Sequence, residues 1–283
     1  EPVHEAVRRL GLRHRVYAPV GELVPGMAYL VRRLLENTSN ESFVRHRFAE
    51  GADLDGLLAR PAVEALPPLQ PLPPRPAPDA GDPPAYEPEP VSEWRRPWAR
   101  ERMASAVAAA RTAGALDVAA LIGVERVRTA AVLESVDPGE FDRVVARSAS
   151  CGVAEADAAL EAAAAAHGRW ASAAPSERAG VLFRAAAWLR ARRAELAALV
   201  VLEAGKPWDQ ADADVCEAID FCEFYGREVL RLDAAAAELV QSPPGEENRL
   251  RYRGKGPTVV IAPWNFPLAI PCGMAAAALA AGN

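Results

Sequence analysis

The chain has 283 residues, of which 51% are hydrophobic and 25% charged, and its formal net charge is −6 at pH 7. This length and apolar content allow two ordinary domains with sizeable cores. The negative charge argues against nucleic acid or an anionic membrane as a partner, and no apolar run approaches the roughly 20 residues that a membrane span needs.

The cysteines and histidines are dispersed along the sequence. No Cys-x-x-Cys or His-x-x-x-His spacing occurs among the four residues of each type, so we predict neither a metal site nor a redox motif. Scattered thiols in an acidic chain without a signal peptide are typical of a reducing cytoplasm. Because the first residue is Glu1 rather than Met, we expect both ends to be cuts.

Residues 1–60 predict one strand and one helix. His14 to Val20 reads as a short strand, and Pro25 suits the first turn of a helix. Apolar residues then recur at helical spacing, namely Met27, Leu30, Val31, Leu34 and Leu35. On this helix Arg32 and Arg33 either clamp a small carboxylate or lie in solvent, one of them paired with Glu36.

Residues 61–98 are dominated by proline, with 13 prolines between Pro61 and Pro97. Proline lacks the backbone N–H that helices and sheets require. This composition predicts an extended, semi-rigid linker that crosses a surface.

Residues 99–283 predict a mostly helical region. We expect a hairpin around Gly123 and a turn at Asp137-Pro138-Gly139. A helix stop is expected at Gly205, within Glu-Ala-Gly-Lys-Pro-Trp, which lacks the features of a phosphate loop. The predicted helices are Arg100–Ala113, Ala154–Trp170, Ser176–Ala204, Asp209–Leu232 and Leu268–Ala281.

Asn265 lies in a Pro-Trp-Asn-Phe-Pro turn between a predicted strand, Thr258–Ile261, and the last helix. A strand that feeds a helix through a tight turn is the entry unit of a dinucleotide-binding fold. The Asn265 amide either donates a hydrogen bond to an oxyanion or caps the helix that follows. Cys272 has no adjacent His or Lys, so we interpret it as a small buried residue rather than a nucleophile.

Two stretches of the sequence resemble one family. Tyr17 to Phe43, which includes Tyr-Leu-Val-Arg-Arg-Leu-Leu-Glu-Asn, resembles the end of a proline dehydrogenase barrel. From about Tyr86 to Asn283, the sequence resembles the start of the aldehyde dehydrogenase module that oxidises L-glutamate γ-semialdehyde. In this order they resemble the bifunctional proline dehydrogenase / L-glutamate γ-semialdehyde dehydrogenase family called proline utilization A.

The resemblance implies roles for several residues near the start of the chain. Arg32 and Arg33 would hold the carboxylate of proline, Tyr17 and Tyr29 would line its pocket, and Glu36 would contact FAD. The first half-reaction would pass a hydride from proline to FAD.

For the second half-reaction, the resemblance implies a cysteine that attacks the semialdehyde, a hydride transfer to NAD and release of glutamate. Asn265 would stabilise the oxyanion, and Ile261, Pro263 and Trp264 would border the NAD site. The family's cysteine and general-base glutamate would follow Asn283, so we expect this fragment to be inactive. The sequence also departs from the family at Gly123-Val124, where Val124 disfavours a positive φ, and at Pro88.

The expected fold class is α/β. Residues 1–60 would form the last strand and helix of a (β/α)8-type barrel, 61–98 the linker, and 99–283 the helical N-terminal part of an aldehyde dehydrogenase fold with its first Rossmann-like strand and helix. We expect a homo-oligomeric parent. Two alternatives stay open: a monofunctional aldehyde dehydrogenase with a docking extension, and a non-enzymatic helical interaction module from a truncated gene.

Overall fold

The computed structural model describes residues 2–11, Met27, Val31 and 73–283. The chain divides into two compact units, Glu1–Pro71 and Leu72–Asn283. In the first unit, helix α1 (Pro2–Arg9) carries Glu5 paired with Arg8 and Arg9. The predicted strand at 14–20 and the barrel end lie outside the described residues. Of the helix predicted after Pro25, Met27 and Val31 are described, and both are helical.

The second unit consists of helices around two small sheets. Strand β1 pairs in parallel with β5, which pairs antiparallel with β4, while β2 and β3 form a separate hairpin. None of the helices in the described part of the chain is long and apolar enough to cross a membrane. The elements are α2 (Pro97–Ala113), β1 (Leu116–Val118), β2 (Ala120–Ile122), β3 (Glu125–Val127), β4 (Val132–Asp137), β5 (Glu140–Ala149), α3 (Val153–Ser172), α4 (Pro175–Ala191), α5 (Arg193–Ala204), α6 (Trp208–Glu238) and α7 (Ala269–Ala280).

The predicted turns are confirmed. Gly123 joins β2 to β3 with a φ of 62°, the left-handed conformation that glycine adopts without strain. Val124 keeps a negative φ, as does every other non-glycine residue of the described chain. Between β4 and β5, the Gly139 amide donates to the Asp137 carboxylate at 2.8 Å. The left-handed Gly205 ends α5, as expected.

The prediction of a single helix over Ser176–Ala204 is wrong in one respect, because this segment forms two helices. Arg192, with φ −108° and ψ 13°, separates α4 from α5. Its amide donates to the Leu189 carbonyl, three residues back, instead of continuing the α-helical pattern. The flanking arginines are fixed by distant carboxylates: Arg190 by Glu223 and Arg193 by Asp212.

The core lies where α4 and α6 pack against each other. Phe183, Val215 and Ile219 are fully buried there. Gly226 permits the close approach of the two helices, because a Cβ at that position would lie 2.5 Å from Cε1 of Phe183.

The prediction of a strand at Thr258–Ile261 is also wrong. Residues 257–263 carry no regular secondary structure. A strand is defined by hydrogen bonds to a neighbouring strand, and no segment of the described chain pairs with these residues. The described residues therefore contain the helix of the expected Rossmann-like unit, α7, without its strand.

The described part of the proline-rich segment, 73–96, contains neither helix nor strand and lies against α4 to α6. Proline cannot donate a backbone hydrogen bond, but its carbonyl still accepts one. Arg227 donates to the Pro84 carbonyl at 2.8 Å, and Arg193 donates to that of Pro90, also at 2.8 Å. Arginines of the helices therefore fix this segment through its carbonyl groups.

Glu89 gives the same segment a buried anchor. Its carboxylate accepts from Arg190 at 2.7 Å and from Arg75 at 2.9 Å, and its backbone amide donates to Asp220 at 2.7 Å. Arg190 also pairs with Glu223 at 2.8 Å. Because these charges are buried, removing one partner would leave an uncompensated charge.

We predict that Gly226→Ala destabilises the chain by about 1–3 kcal/mol, because the new methyl group overlaps the fully buried Phe183 ring. The matched control is Gly168→Ala near the C-terminal end of α3, where nothing lies within 4 Å of the new Cβ. That change should stabilise the helix by about 0.5–1 kcal/mol. Urea unfolding measures both, and equal effects of the two substitutions would contradict the predicted packing.

Candidate active site

Asn265 lies in an exposed turn immediately before α7. It does not cap the helix, because α7 begins at Ala269 after Leu268 and has no side-chain cap at that position. The capping alternative is therefore wrong. Within the residues that the structure describes, the Asn265 amide has no hydrogen-bond partner, so its N–H groups are available to a ligand.

The first amide of α7 is instead satisfied by Asp214 of α6. The Ala269 amide donates to Asp214 Oδ1 at 2.7 Å, and Lys206 Nζ donates to Oδ2 at 2.9 Å. Asp214 is almost completely buried, so both of its oxygens are used within the protein. A carboxylate at a helix N-terminus satisfies an amide that has no partner within the helix, and it interacts favourably with the helix dipole.

Lys206 connects this carboxylate to the turn that carries Asn265. It directly follows Gly205, whose left-handed conformation ends α5. Its ammonium group lies 4.1 Å from the centre of the Phe266 ring, which is within the range of a cation–π interaction. Lys206 and Asp214 therefore support both the ring that follows Asn265 and the start of α7.

The other end of α7 is also held by side chains. Trp170 Nε1 donates to the Leu279 carbonyl at 3.0 Å, and Arg178 Nε donates to the Ala280 carbonyl at 2.9 Å. These bonds satisfy carbonyls that lack a partner within the helix. Because α7 is fixed at both ends, the turn before it has a defined position on the unit.

The surface around Asn265 is apolar and accessible. Ile261 and Trp264 are 83% and 89% exposed, and Pro263 is also exposed. These are the residues that the resemblance places beside NAD, and their side chains offer flat apolar area to a ring. The first amide of α7, that of Ala269, is already bound to Asp214 and is not free for a phosphate. The exposed apolar side chains therefore fit contact with a ring.

Cys272 is not arranged as a nucleophile toward a ligand beside Asn265. It lies between α6 and α7, with its Sγ 3.6 Å from Cys222 Sγ and 3.6 Å from the carbonyl oxygen of Ala218. No lysine or histidine contacts it among the described residues. The same part of the chain contains no group of three or more His, Cys, Asp or Glu side chains that could hold a metal ion.

Sequence reasoning missed Asp214 and Lys206, although a signal for Asp214 was present. Asp214 falls in the apolar stripe of α6 between Ala211 and Val215, and a carboxylate on a buried face requires a partner. The candidate residues of the first half-reaction, Tyr17, Tyr29, Arg32, Arg33 and Glu36, lie outside the described residues.

Comparison with known families matches both parts of the chain. The model described as "Aldehyde dehydrogenase family" matches residues 126–283, and the model described as "Proline dehydrogenase" matches residues 1–46. The matched regions follow each other in the order expected from the sequence. The proline-rich segment lies between them.

Similar proteins include curated 1-pyrroline-5-carboxylate dehydrogenases. The enzyme of Geobacillus kaustophilus (strain HTA426) is 42% identical over 198 residues, which are 70% of this chain and 38% of that protein. One of Bacillus subtilis (strain 168), named 1-pyrroline-5-carboxylate dehydrogenase 2, is 46% identical over 167 residues, covering 59% of this chain and 32% of its own length. The chain thus spans about a third of the length of these relatives.

Two solved structures are also similar. Proline utilization A from Bdellovibrio bacteriovorus, inactivated by N-propargylglycine, matches with a TM-score of 0.64 and 38% identity, over 100% of this chain and 28% of that one. The 1-pyrroline-5-carboxylate dehydrogenase from Thermus with bound NAD matches with a TM-score of 0.67 and 41% identity, over 70% of this chain and 38% of that one.

We predict that Asp214→Ala destabilises the chain by about 3 kcal/mol or more, because it leaves the Lys206 charge and the Ala269 amide without their buried partner. Hydrogen exchange should accelerate most in the first turn of α7. The control is Glu217→Ala, which removes an exposed carboxylate one turn further along α6. Unchanged exchange in α7 of the Asp214 variant would contradict the capping role.

Proposed function

This chain belongs to the aldehyde dehydrogenase family, and we propose that it is a segment of a bifunctional enzyme that converts proline to glutamate. The observation that carries the proposal is the similarity to proline utilization A, which extends over 100% of this chain and includes both family regions. The match of residues 1–46 to proline dehydrogenase favours this reading over a docking extension and over a non-enzymatic module.

In the first proposed half-reaction, proline is oxidised to 1-pyrroline-5-carboxylate. FAD, when bound, supplies the hydride acceptor. Arg32 and Arg33 would bind the carboxylate of proline, since guanidinium groups match carboxylates in bidentate geometry. Tyr17 and Tyr29 would enclose the ring of proline, and Glu36 would contact the flavin.

In the second proposed half-reaction, hydrolysis opens the pyrroline ring and the resulting L-glutamate γ-semialdehyde is oxidised. NAD, when bound, supplies the hydride acceptor. The Asn265 amide would donate a hydrogen bond to the oxygen that becomes negative when a thiolate attacks the aldehyde. Its exposed position, with α7 fixed behind it by Asp214, supports this role because a preorganised donor stabilises developing charge most effectively.

Ile261, Pro263 and Trp264 would form the border of the NAD site. Their exposed apolar surface supports contact with a ring of the cofactor. The supporting relative is the Thermus enzyme whose structure contains NAD. We further propose a cytoplasmic location, which the four free cysteines support. A homo-oligomeric parent and the absence of nucleic-acid partners stay predictions.

We predict that the chain alone turns over neither proline nor the semialdehyde. Its four thiols, all in the described region, are not available beside Asn265: Cys222 and Cys272 contact each other, Cys216 lies against the Pro90 carbonyl, and Cys151 is exposed just before α3. The assays are flavin reduction by proline and NADH formation from the semialdehyde, with the Thermus relative as positive control in the second. Turnover in either assay would refute this prediction.

In a longer protein that contains this chain and is active, we predict that Asn265→Ala lowers kcat for semialdehyde oxidation by about 10²- to 10³-fold, the usual effect of losing one oxyanion donor. Proline oxidation should be unchanged. The matched control is Asn248→Ala, in the exposed loop before the turn, which should leave both rates intact. A normal kcat in the Asn265 variant would show that Asn265 is not a catalytic residue, and the family assignment would be unaffected.

A further inference from the structure

Two cysteine thiols lie next to each other where α6 and α7 cross. Cys222 Sγ and Cys272 Sγ are 3.6 Å apart. The helices are close at this level, because a Cβ on Gly273 would lie 2.6 Å from the ring of Phe221. A disulfide requires a sulfur separation of about 2.05 Å and backbones that approach closely. The two sulfur atoms are therefore in contact, and they must approach each other further before a bond can form.

We propose that Cys222 and Cys272 are an oxidation site, at which a peroxide converts the two thiols into a reversible disulfide that joins α6 to α7. This inference does not depend on the proposed function. Neither sulfur has another assigned task, and the pair links two residues that are 50 positions apart in the sequence.

The two sulfur atoms differ in accessibility and in acidity. Cys272 is partly exposed, whereas Cys222 is buried. The contact with the Cys222 thiol lowers the pKa of Cys272, while the contact with Cys272 and burial raise the pKa of Cys222. Because the thiolate is the reactive form and Cys272 is the more accessible of the two sulfur atoms, we expect Cys272 to react first.

The chemistry balances with hydrogen peroxide as the oxidant. The Cys272 thiolate attacks one peroxide oxygen, the O–O bond breaks, and a sulfenic acid and a hydroxide ion are formed. The hydroxide takes up the proton that the Cys272 thiol released and becomes the first water. The Cys222 sulfur then attacks the sulfenic sulfur. The S–O bond breaks, the disulfide forms, and the hydroxyl leaves as a second water with the thiol proton. Two thiols lose two electrons and one peroxide gains them.

The remaining cysteines provide internal controls. Cys216 lies 4.0 Å from the carbonyl oxygen of Pro90, and burial raises the pKa of its thiol to about 12. It is therefore protonated and unreactive near neutral pH. Cys151 is exposed and can react with other molecules, so the experiment replaces it.

A disulfide at this site would restrict the unfolded chain and fix α7 relative to α6. Closing a loop of this length in the unfolded state raises the stability of the folded state. The fixed helix is the one that follows the Asn265 turn. Oxidation would therefore hold this turn more rigidly rather than disrupt it.

The test uses the full chain with Cys151→Ser, which leaves three thiols (four less Cys151). After treatment with hydrogen peroxide, we expect thiol titration under denaturing conditions to fall from three to one. Peptide mass mapping should find Cys222 joined to Cys272, and dithiothreitol should reverse the change. The melting temperature of the oxidised chain should rise on the order of 5 °C.

Two further variants in this background separate the pair from general oxidation. The added Cys216→Ser change should preserve the disulfide, whereas the added Cys222→Ser change should abolish both the disulfide and the rise in melting temperature. Peptide mapping of the Cys151→Ser chain shows whether Cys222 and Cys272 are joined, even if the Cys222 variant does not fold. Three intact thiols, a sulfinic acid on Cys272 without a cross-link, or a bond to Cys216 would each overturn the proposal.

Discussion

The Asp214 carboxylate is the interaction on which the arrangement of the candidate site depends. It is buried on α6, yet both of its oxygens bind groups that lie elsewhere in the chain: the Lys206 ammonium group and the Ala269 amide. A buried carboxylate without these partners would be costly. The same two contacts fix the connection between α5 and α6, which contains Lys206, and the beginning of α7. The turn carrying Asn265 lies between these fixed points, so its exposure does not require it to be loosely placed.

The proline-rich segment shows how a chain without regular secondary structure is held on a helical surface. Prolines remove backbone donors but leave acceptors, and arginines of the helices supply the missing donors. Glu89 adds a buried charge that pairs with Arg190, whose second partner is Glu223. The segment is therefore part of the folded unit from residue 73 onward rather than a free tether beside it. Its composition specifies extended backbone, and the arginines specify where that backbone lies.

Local features of the sequence were predictable, and features that depend on distant partners were not. The sequence correctly predicts a helix over Asp209–Leu232, whose buried face includes Val215 and Ile219, and Gly205 correctly marks a helix end. The break at Arg192 could not be predicted, because no glycine or proline marks it in the sequence. It is accompanied by ion pairs of the neighbouring arginines with distant carboxylates. The predicted strand before Asn265 has the right composition, but a strand also needs a partner strand. The cap of α7 by Asp214 joins residues 55 positions apart.

The proline-rich segment has one more consequence, for association between molecules. An extended stretch on a protein surface normally presents alternating donors and acceptors to which a strand of another molecule can add. Here many donors are missing, and the Pro84 and Pro90 carbonyls are occupied by Arg227 and Arg193. Such a border is a poor template for intermolecular sheet growth. The composition that keeps this crossing extended therefore also protects it against amyloid-like self-assembly.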